Sequence, residues 1–143
     1  MGQGSFFYIW FTVVQIVAAP LVLWWVFTMP GPWDLQRGVG AALVIVGIGG
    51  IATARYQLGK SFAISAQARQ LVTHGIYSKI RNPIYVSGAV AIGGFILVIH
   101  RPVGWLVLLA IVIMQTLRAR REAQVLEAAF GDAYRDYRRK TWF

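Results

Sequence analysis

Residues 6–29 carry no charged side chain and end in the breaker Met29-Pro30-Gly31-Pro32. A helix crosses about 30 Å of hydrocarbon with about 20 apolar residues rising about 1.5 Å each, so this stretch spans with length to spare for tilt. Pro20 inside it marks a place for a kink. Three more apolar stretches follow, at 38–54, 83–100 and 103–117. The last two are separated only by Arg101-Pro102 and must form a tight antiparallel hairpin. Both are short for a full crossing, a mismatch that neighbouring helices or local thinning of the bilayer absorbs. The second stretch is rich in glycine (Gly38, Gly40, Gly47, Gly49, Gly50), which in lipid means close helix packing. With 57% hydrophobic and 13% charged residues, the chain has about half the charge of an average soluble domain. A water-soluble globular domain is excluded. The expected fold is an all-α integral membrane protein, a single domain over 1–143, with about four transmembrane helices, a loop at 55–82 and an amphipathic C-terminal helix in a tail at 118–143.

The net charge of +9 in a soluble chain would point to nucleic acid. Its distribution points elsewhere. Arg55, Lys60, Arg69, Lys79 and Arg81 fall in the long loop, and Arg118, Arg120, Arg121, Arg135, Arg138, Arg139 and Lys140 in the tail, leaving only Arg37 and Arg101 for the two short loops. That asymmetry puts the long loop, the tail and, with an even number of spans, the N-terminus in the cytoplasm. Trp24, Trp25, Trp33 and Trp105 then gather at the outer boundary, and Tyr8 and Trp10 at the inner one. The positives orient the chain and attract anionic lipid heads; no nucleic-acid partner is expected. A cleaved signal peptide needs a basic leader, and residues 1–5 are uncharged, so 6–29 is expected to be a permanent span. Without cysteine, disulfides and thiolate chemistry are excluded. His74 and His100 lie on opposite sides of the membrane, so no metal site is expected.

In the tail, Leu126, Ala129, Phe130, Ala133, Tyr134 and Tyr137 form one helical stripe, which Gly131 interrupts. A surface helix in the headgroup region accounts for it. Glu122 stands in a basic cluster, where an i, i+4 pair with Arg118 is the plain explanation. Asn82-Pro83 reads as a helix start, asparagine capping and proline in the first turn.

In combination these pieces are more specific. Thr73-His74-Gly75-Ile76-Tyr77, then Arg81-Asn82-Pro83-Ile84-Tyr85, then Arg121-Glu122, then Leu126, Phe130-Gly131, Tyr134 and Tyr137, with Leu58-Gly59-Lys60-Ser61-Phe62 upstream, resemble the signature of the isoprenylcysteine carboxyl methyltransferases and related phospholipid methyltransferases. The resemblance implies an integral membrane enzyme that moves a methyl group from S-adenosylmethionine to a lipophilic acceptor. It implies cofactor-binding roles for His74, Gly75, Tyr77, Arg81, Asn82, Pro83, Tyr85, Glu122 and Tyr137, with Arg81 and Glu122 catalytic. One departure is clear: the family commonly has two adjacent acids where this chain has Glu122-Ala123. The wording of the motif lies nearer the carboxyl methyltransferases, with phospholipid amine methylation as the alternative. A four-helix subunit without catalysis, or a membrane reductase relative that binds a nicotinamide cofactor, stays open beside them.

Overall fold

The computed structural model describes residues 3–58 and 71–143, with side chains in the first helix described at residue 13 and from residue 16 onward. Lys60, Arg69, the Gly59-Lys60-Ser61-Phe62 stretch and the side chains of Tyr8 and Trp10 lie outside the described residues. Among the described residues the architecture is all helical: α1 (Gln3–Thr28), α2 (Leu35–Leu58), a 3-10 turn (Gly75–Ser78), α3 (Pro83–Ile99), α4 (Gly104–Phe130) and α5 (Asp132–Lys140). Among the described residues, α2 is long and apolar enough to cross a membrane, and Ile16–Thr28 of α1 and Pro83–Ile99 are shorter apolar helices. α4 stays apolar only up to Leu117, where Arg118, Arg120 and Arg121 follow. Large apolar side chains are nonetheless exposed along α1 (Ile16, Leu21, Trp24), α2 (Ile45, Val46) and α4 (Leu106, Leu109, Ile113, Met114). A surface so extensively apolar belongs against lipid, not water.

The breaker after α1 works as its composition suggests. Gly31 takes φ +128°, open to glycine, and the chain turns back through Trp33. Asp34 then caps α2, its Oδ1 accepting the Arg37 N–H at 2.7 Å. This cap starts the helix earlier than the apolar pattern indicates, and it moves Arg37 from the expected loop into the first turn of α2. There Arg37 is buried. Its guanidinium donates to the carbonyls of Val26 (3.1 Å), Met29 (2.6 Å) and Gly31 (2.9 Å) and lies 4.3 Å from the centre of the Trp33 ring. Carbonyls left over at the end of α1 thereby gain donors, and the buried cation gains acceptors. Arg55 departs from expectation in the same way: it lies inside α2 and is buried, not in the loop.

The tightest seam runs between α2 and α3. A Cβ on Gly40 would stand 2.6 Å from the Gly94 carbonyl oxygen, and one on Gly47 would stand 2.5 Å from the Ala91 nitrogen. One on Gly50 would run into the Ser87 hydroxyl. Gly40, Gly47 and Gly50 thus meet Gly94, Ala91 and Ser87 in antiparallel order, so the backbones approach as closely as small residues permit. Gly38 and Gly49 face open space. α1 joins this pair at its C-terminal end, where Val26 packs with Ala41 and Val98 and Trp25 stacks on Phe95 at 5.2 Å between ring centres.

The hairpin is as tight as Arg101-Pro102 implies. His100 closes α3 in the left-handed region at φ 52°, and the Gly104 backbone packs on Ile96. Its ring links the two short loops, Nδ1 lying 3.0 Å from the Val98 carbonyl and Nε2 3.0 Å from Asp34 Oδ2. With an oxygen facing each ring nitrogen, first Val98 and then Asp34, His100 is held above its ordinary 6.5. Asp34 is held below its ordinary 3.8, first by the Arg37 N–H and then by His100. α4 runs unbroken to Phe130, and Gly131 at φ 51° ends it and starts α5. Tyr134 and Tyr137 of α5 are buried against the chain itself, so this face of the tail turns inward, whereas the expected surface helix would turn it to lipid.

Two outcomes follow from these contacts. Gly47→Leu should cost roughly 1–3 kcal/mol or more by overpacking the seam, seen as a fall of several degrees in the melting temperature in detergent, while Gly49→Leu leaves it nearly unchanged. The His100–Asp34 tie depends on pH in a defined direction. A raised histidine stabilises below its ordinary 6.5 and loses that contribution as pH rises through its folded value. A lowered carboxylate stabilises above 3.8 and fails as pH falls through its own. Melting-temperature differences between wild type and His100→Gln should therefore be largest between those two values and shrink in alkali.

Candidate active site

The residues singled out by motif converge where the C-terminal end of α2, the 3-10 turn, the start of α3, the basic part of α4 and α5 meet. The turn is anchored first. Gly75 takes φ +60°, and any Cβ there would run into the Gln57 amide, whose Oε1 accepts the Ile76 N–H at 2.7 Å. The space over Gly75 is therefore filled by this chain's own glutamine. Tyr77 packs in a core with Ala54 and Val72, flanked by Leu58, Ile76 and Ile84. His74 stands exposed just before the turn and makes no capping bond with its side chain.

At the start of α3, Pro83 is fully buried in the first turn as expected. Asn82 departs from expectation, for its side chain makes no capping bond. Its carbonyl instead accepts from the N–H groups of Tyr85 (3.1 Å) and Val86 (3.2 Å), so the main chain alone opens the helix. One turn on, the Tyr85 hydroxyl donates to Glu122 Oε1 at 2.7 Å, and Arg118 Nε donates to the same oxygen at 3.0 Å. Two motif pieces far apart in the chain thus share one hydrogen bond, and the i, i+4 pair with Arg118 forms as well. Both contacts orient the carboxylate that the sequence singles out.

Tyr137 completes the cluster from α5, its hydroxyl donating to the Tyr77 carbonyl at 2.8 Å in a buried position. Arg81, half-buried, donates through a terminal guanidinium nitrogen to the Arg138 carbonyl at 3.3 Å. Burial pushes the Tyr77 hydroxyl up, with Tyr137 and Glu122 adding to it. Burial, then Tyr134, pushes Tyr137 up to about 12, against the pull of Arg81. Tyr134 is also raised by burial, although Arg81 and Arg138 oppose it. At neutral pH all three are uncharged hydroxyls, suited to donating hydrogen bonds or presenting ring faces and unsuited to acting as bases.

The sequence offers no sign of Gln57, and it shows Tyr134 in the motif without a site role. Gln57 ends an apolar helix beside the quoted Leu58 and carries no pattern of its own. Tyr134 stood in the helical stripe, and its three-residue spacing from Tyr137 was the signal that both face one way. Tyr137→Phe leaves the buried Tyr77 carbonyl without its donor, so a loss of about 1–3 kcal/mol is expected, measured as a lower melting temperature with no change in helix content.

A search of the curated proteins finds no match to this chain. The model of one family, described as phospholipid methyltransferase, matches residues 35–133. That match runs from the start of α2 into the start of α5 and contains His74, Gly75, Tyr77, Arg81, Asn82, Pro83, Tyr85 and Glu122. Covering well over half of the chain and the elements that bring Tyr85 to Glu122, it establishes that the chain belongs to the phospholipid methyltransferase family, membrane methyltransferases that act on lipid.

Proposed function

We propose that the protein is an S-adenosylmethionine-dependent methyltransferase that acts on a lipophilic acceptor at the cytoplasmic membrane face, most like an isoprenylcysteine carboxyl O-methyltransferase. Four helices, α1 to α4, cross the bilayer in this account, with the 55–82 loop, both termini and α5 on the cytoplasmic side. The observation that carries it is the Tyr85–Glu122 hydrogen bond, which joins two pieces of the family's motif at the junction of the apolar helices and the basic segments. The donor set suits the cofactor. Arg81 offers a fork for a carboxylate, Glu122 accepts from an ammonium or a ribose hydroxyl, and Tyr85 offers a ring face toward a cation, while Tyr77 and Tyr137, buried and joined by their own hydrogen bond, support the cofactor site from the turn and α5. His74 and Asn82 stand beside them, while Gly75 seats the turn on Gln57 and the buried Pro83 fixes the start of α3. S-adenosylmethionine, when bound, supplies an electrophilic methyl group on a sulfonium.

The chain's own part is positioning and exclusion of water. A carboxylate acceptor is ionised at neutral pH and gives up no proton. That suits a cluster whose tyrosines are neutral and whose glutamate already accepts from Tyr85 and Arg118. An amine headgroup must lose a proton and needs a base, Glu122 or His74. The family match is compatible with either acceptor class. Calorimetry on the detergent-purified protein should show saturable binding of S-adenosylmethionine, abolished by Arg81→Ala and by Glu122→Ala; a folded wild type that binds nothing would sink the proposal. With labelled cofactor, transfer to a prenylcysteine should vary little between pH 6 and 8 by the ionisation of a carboxyl group, whereas transfer to an amine lipid climbs with pH.

A further inference from the structure

The last residues of the chain return to the candidate site as a strap. The Trp142 N–H donates to the Lys79 carbonyl at 2.7 Å, and the Trp142 carbonyl accepts the Arg81 N–H at 3.0 Å. The Asn82 N–H donates to the main-chain oxygen of Phe143 at 3.0 Å. Ile80 and Trp142 thus form a parallel bridge, the one β-type contact among the described residues. The strap is held to α5 by Thr141, whose hydroxyl donates to the Tyr137 carbonyl at 2.9 Å.

The pairing falls on the turn that presents Arg81. Its N–H is taken by the strap, and its guanidinium meets the Arg138 carbonyl in the last turn of α5, where unsatisfied carbonyls and the helix dipole favour a cation. Both ends of Arg81 are therefore fixed by residues 138–143, beyond the segment that the family match covers. Trp142 as a residue is 65% exposed. Its backbone makes the connection, and its ring does not.

We propose that residues 141–143 are a positioning element of the site: a main-chain clamp on Lys79, Arg81 and Asn82 that holds the Arg81 guanidinium in the orientation needed to receive an anionic group. This rests on the function proposed above. Residues 141–143 touch neither cofactor nor acceptor in this account and act through Arg81. Without them the turn loses three main-chain hydrogen bonds and Arg81 samples other directions. Affinity for the carboxylate-bearing cofactor then falls through lost preorganisation.

Three variants in the full chain test the clamp: truncation after Lys140, Trp142→Pro, which removes the donor to Lys79, and Trp142→Ala, which keeps it. The extended conformation of Thr141 tolerates a following proline. Binding of S-adenosylmethionine is read by calorimetry, amide exchange at Arg81 and Asn82 by mass spectrometry, and folding by the melting temperature. Truncation and Trp142→Pro should weaken binding about tenfold or more, as a misplaced binding group does, and speed exchange at both amides, while Trp142→Ala stays near wild type in both. KM for the acceptor should change little. Unaltered cofactor affinity in folded truncated and proline variants would overturn the clamp. So would equal damage from alanine, which would assign the effect to the indole. If the truncated chain does not fold, the comparison of proline with alanine decides alone. A wild type that binds no S-adenosylmethionine overturns the proposed function itself, and the clamp's role with it, a result distinct from a wild type that binds and a strap that does not matter.

Discussion

Everything in this molecule depends on how closely α2 and α3 approach. In lipid the hydrophobic effect gives two apolar helices no reason to associate, so van der Waals contact between backbones must do so. Gly40, Gly47 and Gly50 against Gly94, Ala91 and Ser87 supply that contact over three turns of antiparallel helix. One consequence lies at each end. At one, the close approach brings Asp34, Arg37 and the His100 hairpin together. At the other, it sets the end of α2, with Gln57, over the turn before α3, so that Tyr77, Arg81 and Tyr85 have fixed places.

The two ends use polar groups differently. Around Arg37 the two terminal guanidinium nitrogens are spent on carbonyls of this chain, Val26, Met29 and Gly31, and the Asp34–His100 pair ties two loops. That end is a structural knot. At the other end, Glu122 is oriented by Tyr85 and Arg118, and Arg81 is steadied from behind by α5 and the strap. Both side chains are held in place by neighbours from other turns and helices, the support a binding site needs. The boundary between apolar helices and basic segments also suits a polar cofactor and a greasy acceptor arriving from different phases.

Much of this was legible in the sequence, for reasons that can be stated residue by residue. Small residues repeated along an apolar stretch announce a close seam, Arg101-Pro102 leaves room only for a hairpin, and Gly131 breaks a helix because of its backbone freedom. The Arg118–Glu122 pair is a matter of local spacing. The positions of Arg37 and Arg55 were not legible. The cap at Asp34 is local, but a charge at the edge of an apolar run looks like a loop until the waiting carbonyls of α1 are known, and those are a tertiary fact. The Asn82 cap failed for a similar reason: its main chain, held through Phe143, opens α3 without help from the side chain. Motif order alone brought Tyr85 and Glu122 into one hypothesis, yet only the packing of α3 on α4 puts them at hydrogen-bond distance, and no local pattern foretells the strap.

In the proposed function, Tyr85 and Glu122 act as one unit in holding the cofactor. A double-mutant cycle on S-adenosylmethionine affinity with Tyr85→Phe, Glu122→Gln and the pair tests it directly. Strong coupling is expected, the double variant binding about as weakly as the worse single one. Two losses that simply add would contradict it, because the hydroxyl and the carboxylate would then be working independently of the bond that joins them.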